Sequence, residues 1–141
     1  MMIRYPRVAV GGIIIREGKI LLTLRRDEPD RNKWAIPGGK LELNETLEDG
    51  LKREIREELS MEVEVMELAG ISEVITENFH YIILDYLCNP ATYDAKPGSD
   101  ALDAAYFDMN NLDNSVNEST KEFLTRMKES EKPVHIIKRE I

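Results

Sequence analysis

Cysteine is nearly absent from this chain: Cys88 is the sole one in 141 residues. A lone thiol builds no disulfide framework and offers no zinc-ligand spacing, so inside its apolar run it reads as a small buried hydrophobe. Long hydrophobic runs are missing too, and no stretch approaches the ~20 apolar residues that a membrane span needs. Val8 to Ile15 follows basic residues, but the run is short, lacks a small-residue cleavage site and leads into another strand-like segment. No signal peptide is expected on these grounds, and a cytoplasmic location is the expectation. Basic charge is in deficit, with 27 acids against 19 bases for a formal net charge of −8. Such a balance excludes a nucleic-acid adaptor, which needs a basic face. It also sets a problem for any phosphate substrate unless a bound cation reverses the local sign.

What is present suits a globular fold. The chain is 42% hydrophobic and 33% charged, ordinary values for such proteins. Without repeats, low-complexity tracts or linkers, residues 1–141 are expected to form one domain with a core of its own. Val8 to Ile15 and Lys19 to Arg25 are rich in Ile, Val and Leu around Glu17-Gly18, and read as a hairpin or neighbouring strands. Residues 27 to 33 read as a loop. Trp34 to Ile36 reads as a short strand ended by Pro37-Gly38-Gly39, a backbone that must turn or come close to something. Strands are further expected over 62–75, 79–87 and 104–108, with a final edge strand over 134–137. Residues 89–100 read as a loop and 119–128 as an amphipathic helix. Strands before, between and after two helices predict an α+β layered domain with a mixed sheet.

The first helix carries the chemistry. Thr46, with Asp49 three residues on, predicts an N-cap, and Leu47, Leu51, Ile55 and Leu59 recur every four residues, predicting a helix over 47–59. Glu54, Glu57 and Glu58 stand at i, i+3 and i+4, where like charges repel. At about 100° per residue, Glu54 and Glu58 fall beside the leucine stripe and Glu57 on its flank. Burying the stripe therefore aims two carboxylates inward. A cluster this dense calls for a positive partner, and a hard divalent cation takes oxygen ligands.

The surrounding residues read Gly39-x5-Glu45-x7-Arg53-Glu54-Ile55-x-Glu57-Glu58-x-Ser60-Met61. This resembles the signature of the Nudix hydrolases, Gly-x5-Glu-x7-Arg-Glu-U-x-Glu-Glu-x-Gly-U, where U is aliphatic. Ala9 to Ile14, Leu22 to Arg26 and Lys33 to Gly39 extend the likeness. Phe79-His80-Tyr81 and Gly98-Ser99-Asp100-Ala101 look like the ADP-ribose pyrophosphatase-like branch. One position departs: Ser60 stands where the family has Gly, and a left-handed residue there would cost Ser roughly 1 kcal/mol.

The resemblance implies a Nudix α/β/α sandwich with a mixed β-sheet. It implies Mg²⁺ (or Mn²⁺) held by the Gly38 carbonyl and by Glu54, Glu57 and Glu58, with Glu45 and Arg53 as a paired support. Arg26 matches a phosphate-contacting position, and Gly39 and Asp100 are further substrate-site candidates. The implied activity is hydrolysis of a diphosphate linkage in a nucleoside diphosphate derivative, ADP-ribose first, to AMP and ribose 5-phosphate. The alternative is a MutT-like pyrophosphohydrolase of (oxidised) nucleoside triphosphates, which Trp34 and Lys40 also suit. A binding module that has lost turnover would show eroded acidic ligands, and none is eroded. Which glutamate acts as general base stays open, and a homodimer is the family expectation. Among remaining residues, Trp34 is expected in the core, His80 in a packed or hydrogen-bonded position, and Arg25 in a surface salt bridge.

Overall fold

Near Ile14 the chain leaves one sheet and enters another. In the computed structural model, which describes residues 5–98 and 100–141, β1 (Arg7–Ile13) belongs to a different sheet from β2 (Ile15–Arg16) and β3 (Lys19–Arg25). The expected pairing of the first two apolar runs is thus corrected: only the stub Ile15–Arg16 pairs with β3, Ile15 opposite Ile20. Burial supplies the reason. Val10, Ile13, Ile14, Leu21 and Leu22 are all at most 1% exposed, so both runs need cover on two faces, which a lone hairpin cannot provide.

The larger sheet has the order β5 (Gly38–Lys40), β1, β7 (His80–Pro90), β6 (Val63–Thr76), β9 (Val134–Glu140). It is mixed, since β1 runs parallel to β7 and β6 parallel to β9 while the other pairs are antiparallel. In the smaller sheet β3 pairs antiparallel with β2, β4 (Trp34–Ala35) and β8 (Ala101–Asp108). Helix α1 (Leu47–Leu59) closes one side of the larger sheet, packing Leu51, Ile55 and Leu59 with Val10, Val63 and Cys88. Helix α2 (Glu118–Glu129) closes the other, where Phe123 and Leu124 meet Ile13, Ala69, Val134 and Ile136. The α/β/α sandwich expected from the sequence is the observed one. Cys88 is buried and its thiol is pushed up to about 12, chiefly by desolvation.

Two local outcomes shape the site. Of the two readings for Pro37-Gly38-Gly39, a turn or a close approach, the structure has the second: Gly38–Lys40 forms a short strand with Gly38 opposite Gly11. A Cβ at Gly38 would strike the Val10 carbonyl oxygen and come within 2.7 Å of the Gly11 Cα, so the close approach requires glycine. At the other end, the C-cap of α1 is Ser60 in the left-handed region, φ 56° and ψ 37°, donating its N–H to the Arg56 carbonyl. The segment after β7 then folds back, and the N–H groups of Lys96 and Gly98 donate to the carbonyls of Leu59 and Glu58 at 2.8 and 2.7 Å. Those bonds satisfy carbonyls the helix end leaves open.

Ser60 therefore holds a conformation that glycine adopts more readily. Ser60→Gly is expected to stabilise the fold by up to about 1 kcal/mol, raising Tm by roughly 3 °C in thermal unfolding. An unchanged or lowered Tm would contradict this account of the cap.

Candidate active site

Packing of α1 decides where its acids go. With the leucine stripe wholly buried, Glu54 and Glu58 are drawn inward to 9% and 7% exposure, whereas the Glu57 side chain stays 45% exposed. The Glu58 carboxylate accepts the Gly38 N–H at 2.7 Å. Glu54 lies flat against Gly39, where any Cβ would collide with its carboxylate. Strand β5 and α1 are thus docked through two glycines and two glutamates.

Arg53 ties the remaining acids. Its Nε and Nη2 donate to the two carboxylate oxygens of Glu45 at 2.6 and 2.9 Å, a bidentate fork. Nη1 donates to Glu54 and Glu57 at 2.8 and 3.2 Å, and Nη2 also reaches the Lys40 carbonyl at 3.1 Å. The Arg53 hydrogen bonds hold Glu45 down to about 2, helped by the Glu42 backbone N–H. Glu54 is nevertheless raised, because desolvation outweighs the same arginine. Glu58 is pushed up to about 8, first by desolvation and then by the negative charge of Glu54, against the opposing Gly38 N–H.

Both carboxylates border a cleft of about 370 Å³ that Gly38, Gly39, Arg25, Arg26 and Asp100 also line. A somewhat larger hollow of about 410 Å³ lies beside Arg7, Asn78 and His80, but it includes none of the acidic cluster. Arg26 Nη2 stands 3.5 Å from Asp100 Oδ1 and 3.4 Å from Asp27 Oδ2. The expectation for Arg25 is corrected. In the β3–β8 pairing Leu24 faces Asp103 and Arg25 faces Ala101, so the extra residue, Leu102, lies on β8. Strand β3 keeps its alternation, with Arg25 on the face of Thr23, which also lines the cleft. Arg25 is half-buried, lines the cleft, donates Nε–H to the Pro29 carbonyl at 2.6 Å, and its charge acts on Glu58. Trp34 packs on Phe107 with ring centroids 4.8 Å apart, a core position as expected.

The donor chemistry suits a hard divalent cation: oxygen ligands only, with two buried acids whose ionisation has no full counter-charge. No three His, Cys, Asp or Glu side chains converge into a finished cage among the described residues. Glu57 is turned to Arg53 and would have to release it to join Glu54 and Glu58.

The NUDIX domain profile matches residues 5–127. The chain belongs to the Nudix family. Over 110 residues, 77% of its length, it is 38% identical to an ADP-ribose pyrophosphatase of Methanocaldococcus jannaschii and spans 65% of that protein. A MutT-like protein of Streptomyces ambofaciens is 42% identical over 84 residues, covering 60% of this chain and 52% of its own. This chain therefore spans between half and two thirds of the length of these curated relatives. The crystal structure of a NUDIX hydrolase from Nitrosomonas europaea superposes with a TM-score of 0.83 at 29% identity, covering 99% of this chain and 82% of that one.

One residue of this Nudix chain escaped the sequence reading. Asp85 is 3% exposed in the middle of β7 and its Oδ1 has no hydrogen-bond partner, alone in this among buried side-chain atoms of the described residues. A single acid inside Ile82-Ile83-Leu84-Asp85-Tyr86-Leu87 was the available signal. Desolvation raises its carboxyl to about 7.

That shift has a definite sign. The unfolded chain releases this proton near pH 4 and the folded chain near pH 7, so stability is fully present below pH 4 and falls across that window, by up to about 1.4 kcal/mol per pH unit. Glu58 titrates over an overlapping range, so the comparison must be with a variant. Asp85→Asn is expected to gain stability over the wild type as pH rises from 4.5 to 7.5 in denaturant titrations. A constant difference would contradict the assignment.

Proposed function

We propose that this Nudix protein hydrolyses the diphosphate linkage of a nucleoside diphosphate derivative, ADP-ribose to AMP and ribose 5-phosphate, using Mg²⁺ or Mn²⁺. The observation that carries the reading is the pair of buried carboxylates, Glu54 and Glu58, bordering one cleft with Arg25 and Arg26. Anionic phosphates resist attack by an anionic nucleophile, so hydrolysis needs positive charge at the phosphate oxygens and a positioned water. Arg25 and Arg26 supply fixed positive charge at the cleft. A divalent ion held by Glu54, Glu57, Glu58 and the Gly38 carbonyl would neutralise further phosphate charge and lower the pKa of a bound water. The water oxygen bonds to one phosphorus, the bridging P–O bond breaks, and one glutamate of the trio takes the proton. Arg53 and Glu45 hold that trio in place through a fork that a lysine cannot reproduce. The 38% identity to an ADP-ribose pyrophosphatase supports the substrate choice.

A second reading, hydrolysis of nucleoside triphosphates to monophosphate and pyrophosphate, draws support from the MutT-like relative at 42% identity. Trp34 lends it none, being packed on Phe107. Incubation of a substrate panel with Mg²⁺, resolved by chromatography, separates the two. AMP with ribose 5-phosphate supports the first, pyrophosphate the second, and neither product refutes both.

Glu57→Gln is expected to lower kcat by two orders of magnitude or more without loss of the fold, whereas near-wild-type turnover would remove this glutamate from the reaction. Arg53→Lys is expected to lower kcat/KM about 10- to 100-fold with an unchanged circular dichroism spectrum, as loss of an orienting partner does.

A further inference from the structure

The acidic and arginine residues of the cleft account for its phosphate end and leave Asp85 unused. A smaller cavity of about 120 Å³ lies behind the cleft, and Asp85 and Ser72 line it. Ala9, Arg25, Ile36, Gly38, Gly39 and Ile83 border both spaces, so the cavity opens off the cleft. Register places Asp85 in one row with Gly11 on β1 and Gly38 on β5. At about 4.8 Å per strand, its backbone stands about 10 Å from that of Gly38. A ribose between a phosphate and a base bridges such a gap.

The side chains of Ile36 and Phe123 close over the backbone that flanks Asp85. Its register partners on both neighbouring strands are glycines, Gly11 and Gly70, and a Cβ at Gly11 would strike Asp85 Oδ1. The walls are mixed, with Ile36, Ile83 and Phe123 beside Arg25, Ser72 and Asn117. The cavity and the adjoining cleft of about 370 Å³ together admit a flat heterocycle. Buried polar atoms are normally paired, and Asp85 Oδ1 is not.

We propose that Asp85 is a specificity-determining residue that reads the base of the substrate, pairing with the amino–imine edge of an adenine-type ring in this cavity. This rests on the nucleotide reading above. Burial favours the neutral carboxyl, and no neighbouring charge is resolved against that effect. A neutral carboxyl offers one O–H donor beside one carbonyl acceptor. Adenine presents the matching pair, the N6 amino donor beside the N7 or N1 acceptor. On its N7/O6 edge guanine presents two acceptors, which a neutral carboxyl satisfies only once. Asparagine keeps a donor beside an acceptor and leucine keeps only bulk.

Calorimetric titration with AMP and with purine riboside 5′-monophosphate, which lacks the 6-amino group, tests this. The wild type is expected to bind AMP at least tenfold more tightly than the analogue. Asp85→Leu should abolish that preference and raise the KM for ADP-ribose at least tenfold with little change in kcat, while Asp85→Asn retains both properties within about threefold. Asp85→Leu replaces an unpaired buried acid by an apolar side chain, so it is expected to fold, and Asp85→Asn is a second probe if it does not. A wild type indifferent to the amino group, a leucine variant that keeps the preference, or an asparagine variant that loses it would each overturn the proposal. Discrimination of AMP without ADP-ribose turnover would sustain Asp85 and refute the substrate proposed above. Turnover with no role for Asp85 would do the reverse.

Discussion

Leu51, Ile55 and Leu59 are completely buried between α1 and the larger sheet, and Glu54 and Glu58 travel inward with them. At about 100° per residue, residues 54 and 58 lie on the edge of that stripe, so burying it carries them inward. The apolar contact thus sets the depth and direction of two carboxylates that would otherwise be solvated. It also presses α1 against β5, where the absence of a Cβ at Gly39 leaves room for the Glu54 head group. A core interaction and a polar site are here the same contact seen from two sides.

Electrostatics then sorts the acids by surroundings. Glu45 meets a guanidinium fork and is held ionised. Glu58 meets desolvation and another carboxylate, and is pushed toward neutrality. Arg53 reaches Glu45, Glu54 and Glu57 in turn, so a single cation holds a helix, a loop and a strand in register. For a chain carrying a net charge of −8, arginines at the cleft and a counter-ion among the glutamates would, on the proposed function, reconcile an acidic protein with an anionic ligand.

The cleft draws on both sheets and the segments between them. Strand β5 brings the glycines, α1 the glutamates, β3 Arg25 and the loop after β7 Asp100. The same loop donates backbone N–H groups to the end of α1, which couples the rim of the cleft to the helix that bears the acids. Asp85 stands deeper, on the face of β7 that also carries Ile83 toward the cleft.

Much of this was legible in one dimension. The 47–59 helix, its Thr46 cap and the inward aim of Glu54 and Glu58 followed from a 3.6-residue period, a local property of the chain. Ser in place of the family Gly put the turn at residue 60 in doubt, and the structure keeps it left-handed. The division of the first apolar run between two sheets was not legible, because strand pairing depends on partners such as β7 and β8 that lie 60 or more residues away in sequence. Arg25 shares a strand face with Thr23, and that this face borders the cleft depends on what packs beside β3 from elsewhere in the chain. Ser99 of the Gly98–Ala101 motif lies outside the described residues. The sequence by itself determined the candidate carboxylates on α1 through residue type and helical spacing, and the Arg53–Glu45 pair and Arg26 through the family resemblance. These are local properties of the chain, whereas Arg25 was assigned to the cleft only by the fold. Only the tertiary structure decided that Asp85 is buried without a partner between two glycines, because burial is created by what packs against a strand from elsewhere in the chain.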